Sequence, residues 1–181
     1  MKTKVLTVSA LSSALATIVL IFGTVFADLF DLVAVIVAPM VLAMPLYYNS
    51  VKGAILSTLC AGILALMLTG FGSIATNLVY ISYFAFFGFF PIVKYCTLTK
   101  RWNKYLLHTI CALWFAISVV VIYLYYVNVL GFGINLIIPL PAEKIPVMLF
   151  FGAIPLYFLV DAYIYACQIF MFRMLNRIVK N

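Results

Sequence analysis

The residues best equipped for chemistry are few, and the most conspicuous stands inside an apolar run. Asp161 follows Leu156-Tyr157-Phe158-Leu159-Val160 and precedes Ala162-Tyr163-Ile164. A carboxylate in hydrocarbon is costly, so such a residue pairs, faces a polar cavity, or holds a proton or cation. Gln168 comes seven positions later, two helical turns along the same face. Carboxylates able to relay a proton from one to the next are missing from the other apolar runs. A structural or partner contact is therefore the favoured role for Asp161, with a proton or cation site as the other reading. His108 is the only histidine. It lies near the start of an apolar run with no evident partner, which favours an interfacial imidazole over a catalytic or metal-binding one. Cys60, Cys96, Cys111 and Cys167 form no C-x-x-C pair and fall in or beside apolar runs. They read as small core residues, and neither a disulfide framework nor a zinc site is indicated.

Enzyme motifs are missing as well. The chain has no G-x-S-x-G, no H-E-x-x-H, no P-loop and no carboxylates at catalytic spacing. No enzymatic activity, no cofactor and no metal are expected. A chain without a nucleotide site cannot drive transport with ATP by itself, so any energy coupling must come from another subunit or an ion gradient.

The elements that position these residues follow from composition. Of 181 residues, 68% are apolar and 8% charged, and the mean hydropathy is +1.27. Soluble domains are about half apolar and about one quarter charged. A soluble fold of this size could not hide so much apolar surface, so the bilayer must be the solvent for most of it. At about 20 residues per spanning helix, the length predicts an all-α integral membrane protein, a single transmembrane domain over 1–181 with about six spans and short loops. The net charge of +7 is assigned to lipid headgroups and membrane orientation, not to nucleic acid.

Apolar runs predict helices near residues 5–26, 32–46, 53–68, 74–95, 105–130 and 146–178. Lys2 and Lys4 before the first run, with Val25-Phe26-Ala27 after it, resemble a signal peptide. The run is longer than the usual h-region of about 7–15 residues, and it is read as the first helix. Pro39 and Pro45 predict a kinked or irregular second helix. A short re-entrant pair formed by helices two and three, giving four spans, is the alternative. Gly131 to Lys144 is the longest loop. With the N-terminus inside, every basic residue but Lys144 falls on the inner side, while Asp28, Asp31 and Glu143 fall outside. That bias predicts a multi-pass protein of the cell membrane with both termini in the cytoplasm.

Helix 1 carries small residues in register. Ala10 and Ala14 form one row, Ser9, Ser13 and Thr17 a second, and Ser12 and Ala16 a third. Small side chains four apart let another helix approach closely, either a partner's or one of this chain's own. With the chain's length and layout, the Ala10-x-x-x-Ala14 row resembles the substrate-binding S components of energy-coupling factor (ECF) vitamin transporters. That resemblance implies six spans with both termini inside and docking of Ala10, Ala14 and the adjacent Ser13 onto a membrane coupling subunit with its ATPases. It also implies capture of a small, vitamin-like molecule near the outer face. The chain shows no signature of riboflavin, thiamine, biotin or folate binders. Phe86-Phe87-Gly88-Phe89-Phe90-Pro91-Ile92-Val93-Lys94 is similar to a stretch of S-component-like membrane proteins of Gram-positive bacteria, a likeness that names no function.

The outer half supplies candidate ligand contacts. Asn77 and Tyr80 lie in the outer part of the fourth predicted helix, Tyr123 and Asn128 at the outer end of the fifth, and Tyr157 in the sixth. Aromatic walls with a few amides suit a small-molecule pocket. For the tyrosines an interfacial belt or the core is the favoured reading, and the asparagines equally suit contacts between helices. A function of another class also fits: a non-transporting scaffold that acts by binding partner proteins, similar to the rod-shape factor MreD.

Overall fold

The computed structural model describes residues 3–26, 29–70, 78–99, 103–129 and 144–180. Among these nearly all are helical and none is in a strand. The chain is an all-α membrane protein. Five helical stretches are long and apolar enough to cross a bilayer: Thr3–Val25, Val51–Thr69, Val79–Thr97, Tyr105–Asn128 and Ile145–Arg177. A sixth apolar stretch, Val33–Tyr47, is shorter.

Prolines explain the shorter stretch. Helix α1 spans Thr3–Val25, α2 spans Leu29–Leu42 and α3 spans Met44–Tyr47. One helix over 32–46 is expected from sequence; the structure has two. Pro39 lies inside α2, and the N–H of Ala43 donates to the Pro39 carbonyl at 3.1 Å. Pro45 opens α3, where its missing N–H does no harm. Helix α4, Val51–Thr69, starts at Ser50, whose Oγ accepts the Gly53 N–H at 3.1 Å. A serine in that place satisfies one of the donors a helix start leaves open.

The fourth predicted helix is also divided. Helix α5, Leu78–Ser82, runs into a π-helical segment, Tyr83–Phe87, and then into α6, Phe90–Thr99. The Gly88 N–H donates to the Tyr83 carbonyl at 2.9 Å, the wider π spacing. Pro91, with no N–H, cannot join a regular ladder here. Two further bonds hold the wide turn to α4. Tyr83 donates its hydroxyl to the Thr58 carbonyl at 2.8 Å, and Thr58 Oγ1 reaches the Gly88 carbonyl at 3.3 Å. Space at residue 88 is tight and favours glycine: a Cβ would stand 3.0 Å from the Tyr83 carbonyl oxygen and 3.1 Å from Thr58 Cγ2.

Helices α7, Lys104–Val129, and α8, Ile145–Lys180, complete the chain. Contacts divide it into two compact units, residues 1–101 with 163–181, and residues 102–162. In the first unit α1 packs on α2 and α4. Ser12 Oγ donates to the Val41 carbonyl at 2.9 Å, and Ser57 Oγ to the Ser9 carbonyl at 2.9 Å. Ala16, Leu20, Ala38, Ala61 and Tyr80 fill the core between them. In the second unit Cys111, Phe115, Ala153 and Tyr157 are buried. Large apolar side chains remain exposed along the spans, among them Leu11, Phe22, Leu68, Phe151 and Leu159. Such a surface suits contact with lipid.

Candidate functional site

The three rows of α1 have different fates. Ser9, Ser13 and Thr17 are buried, as are Ser12 and Ala16, whereas Ala10 and Ala14 are exposed. A groove of about 280 Å³ runs between α1 and α4, lined by Ala10, Ala14, Ser9, Ser13, Leu56 and Cys60 among others. Ser13 thus belongs to the same groove as the alanines, as one of its buried members.

Two hydroxyls of this groove have no hydrogen-bond partner. Ser9 and Ser13 are 3% and 5% exposed, and neither Oγ meets a donor or acceptor. Elsewhere in the same unit hydroxyls are satisfied one turn back along their own helix. Thr17 donates to the Ser13 carbonyl at 2.8 Å, Ser57 to Gly53 at 2.8 Å and Thr58 to Ala54 at 3.0 Å. An orphaned buried hydroxyl costs about 1–3 kcal/mol, and acyl chains offer it nothing. The groove therefore has small residues of α1 on one side, Leu56, Cys60 and Leu64 of α4 on the other, and two unsatisfied hydroxyls buried beneath it.

The second site is a polar cluster on α7 and α8. His108 Nδ1 stands 3.9 Å from Asp161 Oδ2 and 3.4 Å from the Tyr157 hydroxyl. Tyr157 and Asp161 are four residues apart and share a helix face. The rings of Phe115 and Phe158 lie 6.2 and 5.3 Å from that of Tyr157. From sequence neither His108 nor Asp161 has an evident partner; the structure gives each the other. Depth was the available signal. His108 lies 21 residues before the end of α7 and Asp161 lies 16 residues after the start of α8, and antiparallel neighbours bring such positions near one level.

The remaining candidates fall in different places. Tyr80 is fully buried, and its hydroxyl is 2.8 Å from Thr69 Oγ1 and donates to the Ala65 carbonyl at 3.2 Å. It acts in packing α5 on α4. In the second unit Tyr123 is buried and Asn128 exposed. Tyr157 is level with His108, which is fifteen positions, or about 22 Å of helix, from Tyr123 on α7. Tyr157 and Tyr123 therefore stand at different heights in this unit. Asn77 lies outside the described residues. Gln168 is half-buried, and its Nε2 has no partner.

Lys94, which the charge pattern assigns only to orientation, is buried, with its Nζ 4.9 Å from the centre of the Tyr165 ring and 5.8 Å from that of Phe90. Among the described residues no group of three metal-ligating side chains occurs. The four cysteines carry free thiols. Comparison with known proteins found no matching family model, no matching curated protein and no matching solved structure.

Proposed function

We propose that the chain is the substrate-binding membrane subunit of an ECF-type transporter, a non-catalytic partner that docks a coupling subunit through α1. One observation carries this reading: Ala10 and Ala14 face outward beside a groove whose Ser9 and Ser13 hydroxyls lack acceptors. A helix laid against the two alanines can come close to the α1 backbone, and a slight opening of the α1–α4 seam, beneath which both hydroxyls are buried, would bring its carbonyls within their reach. The same trade occurs inside the chain where Ser12 and Ser57 donate to carbonyls of neighbouring helices. On this reading both termini lie in the cytoplasm, the site of docking is in the inner leaflet, and the cargo is a small, vitamin-like molecule taken from outside.

The test is co-expression with a complete ECF coupling module, the transmembrane coupling protein plus its two ATPases. A stable complex is expected, with Ala14→Trp lowering its yield at least tenfold by filling the groove. No complex with the module, or one that tolerates Ala14→Trp, overturns the docking role.

A second reading, a non-transporting scaffold, draws support from the tyrosines. Tyr80 and Tyr83 spend their hydroxyls on helix packing. A small molecule that co-purifies and raises the melting temperature favours the transporter subunit; a stable membrane partner with no ligand response favours the scaffold.

A further inference from the structure

The last turns of α8 carry a face that neither docking nor cargo binding uses. Phe170, Arg173, Met174 and Arg177 follow the i, i+3, i+4, i+7 spacing of one helix face, and all four are exposed. Among the described residues no carboxylate reaches either guanidinium.

The depth of this face follows from its own unit. Helix α4 has 19 residues, about 28 Å, close to the ~30 Å of the hydrocarbon core. Its start at Val51 thus marks one edge of the core, and the turn before it lies among the headgroups. Tyr47, at the end of α3, hydrogen-bonds Asn176, and its ring is 5.7 Å from that of Phe172. Tyr95 likewise hydrogen-bonds Asn49 of the same turn. Phe172 and Asn176 are therefore at headgroup depth, and so is the face beside them. The length of α8 agrees: its 36 residues reach about 54 Å, well beyond the core.

At that depth the face has a definite chemistry. Phe170 and Met174 can enter the boundary of the acyl chains. Arg173 and Arg177, one turn apart, repel each other until an anion lies between them. A guanidinium binds phosphate oxygens through two N–H groups at once. Tyr47 holds the helix from its other side, so the two arginines are presented on a fixed scaffold. We infer that Phe170, Arg173, Met174 and Arg177 form a binding site for an anionic phospholipid, with the arginines on the headgroup phosphate and the two apolar side chains against its acyl region.

The experiment uses the full chain in detergent micelles doped with phosphatidylglycerol or phosphatidylcholine. Phosphatidylglycerol is expected to raise the melting midpoint above phosphatidylcholine by about 4 °C or more, the scale of two surface arginines. Arg173→Gln with Arg177→Gln should lose most of that increment, and the double lysine variant should keep part of it. Native mass spectrometry reads the same site without unfolding: phosphatidylglycerol adducts should fall in affinity by about thirtyfold in the glutamine variant. An unchanged phosphatidylglycerol increment in that variant, together with unchanged adducts, overturns the inference. So does an equal rise from inorganic phosphate in phosphatidylcholine micelles, which would make the site one for a free anion.

Discussion

His108 Nδ1 stands 3.9 Å from Asp161 Oδ2, so the chain's only histidine meets the one acidic residue of its five long apolar helices. Each makes the other tolerable in a poorly polar setting. The Tyr157 hydroxyl, 3.4 Å from the same nitrogen, gives the imidazole a second partner. Residues that share a polar network are energetically coupled. His108→Ala and Asp161→Asn are expected to be non-additive by about 0.5 kcal/mol or more in a double-mutant cycle of unfolding in lipid bicelles. Strict additivity would mean that this contact carries no energy, and Asp161 would then need another explanation.

The crossing of α1 and α4 gives a second expectation. A Cβ on Gly53 would stand 2.6 Å from Ser9 Oγ and 2.9 Å from Ser50 Oγ, the cap of α4. Gly53→Ala should therefore destabilise the protein by about 1–3 kcal/mol. Adding Ser9→Ala removes the nearer obstacle and should recover part of the loss, because Ser9 makes no side-chain hydrogen bond to forfeit. Thermal unfolding of the four proteins in detergent reads this directly. A double variant no better than Gly53→Ala alone would place the strain at the Ser50 cap.

Tyr80 and Tyr83 separate packing from binding. Both are fully buried, and both hydroxyls donate to carbonyls of α4. Changing either to Phe should cost about 0.5–1.5 kcal/mol of stability. Neither change should alter capture of any ligand that the purified protein binds. A ligand affinity that falls with Tyr80→Phe while the melting temperature holds would return Tyr80 to a binding site.

What the sequence disclosed, and what it withheld, follows from the range of each interaction. Apolar run length found the long spans because crossing hydrocarbon is a local requirement met residue by residue. Pro39 and Pro45 marked the irregular second helix for the same reason, since a missing N–H acts within one turn. The π-helical turn at Tyr83–Phe87 escaped, because it depends on Thr58 from another helix receiving Tyr83 and reaching Gly88. The meeting of His108 with Asp161 escaped too, as the rotation and relative height of two helices are set by packing. The small residues of α1 show both sides of this limit. Their four-residue spacing was plain, but spacing alone does not say which of the three rows faces outward. Only the placement of α2 and α4 leaves Ala10 and Ala14 outside.

The orphaned hydroxyls of Ser9 and Ser13 separate two roles that a bulky substitution cannot. In the isolated protein they make no hydrogen bond, so their removal exposes no partner and relieves the burial of two unsatisfied groups. Ser9→Ala with Ser13→Ala should leave the melting temperature of the lone chain unchanged or raise it slightly. In a complex where a docked helix accepts those hydroxyls, the same pair should weaken association. Hydrogen bonds between membrane helices average about 0.6 kcal/mol and reach about 1.7, so two of them correspond to roughly a tenfold loss or more in affinity. Ala14→Trp acts by steric exclusion and would weaken any tight packing on that face. The serine pair weakens only a partner that comes close enough to accept a hydrogen bond. Measuring both variants against the coupling module, with the stability of the free chain alongside, therefore distinguishes a docked helix from an acyl chain filling the groove. Serine variants that bind the module as tightly as wild type, with Ala14→Trp impaired, would leave the alanines as the contact and the two hydroxyls as bystanders.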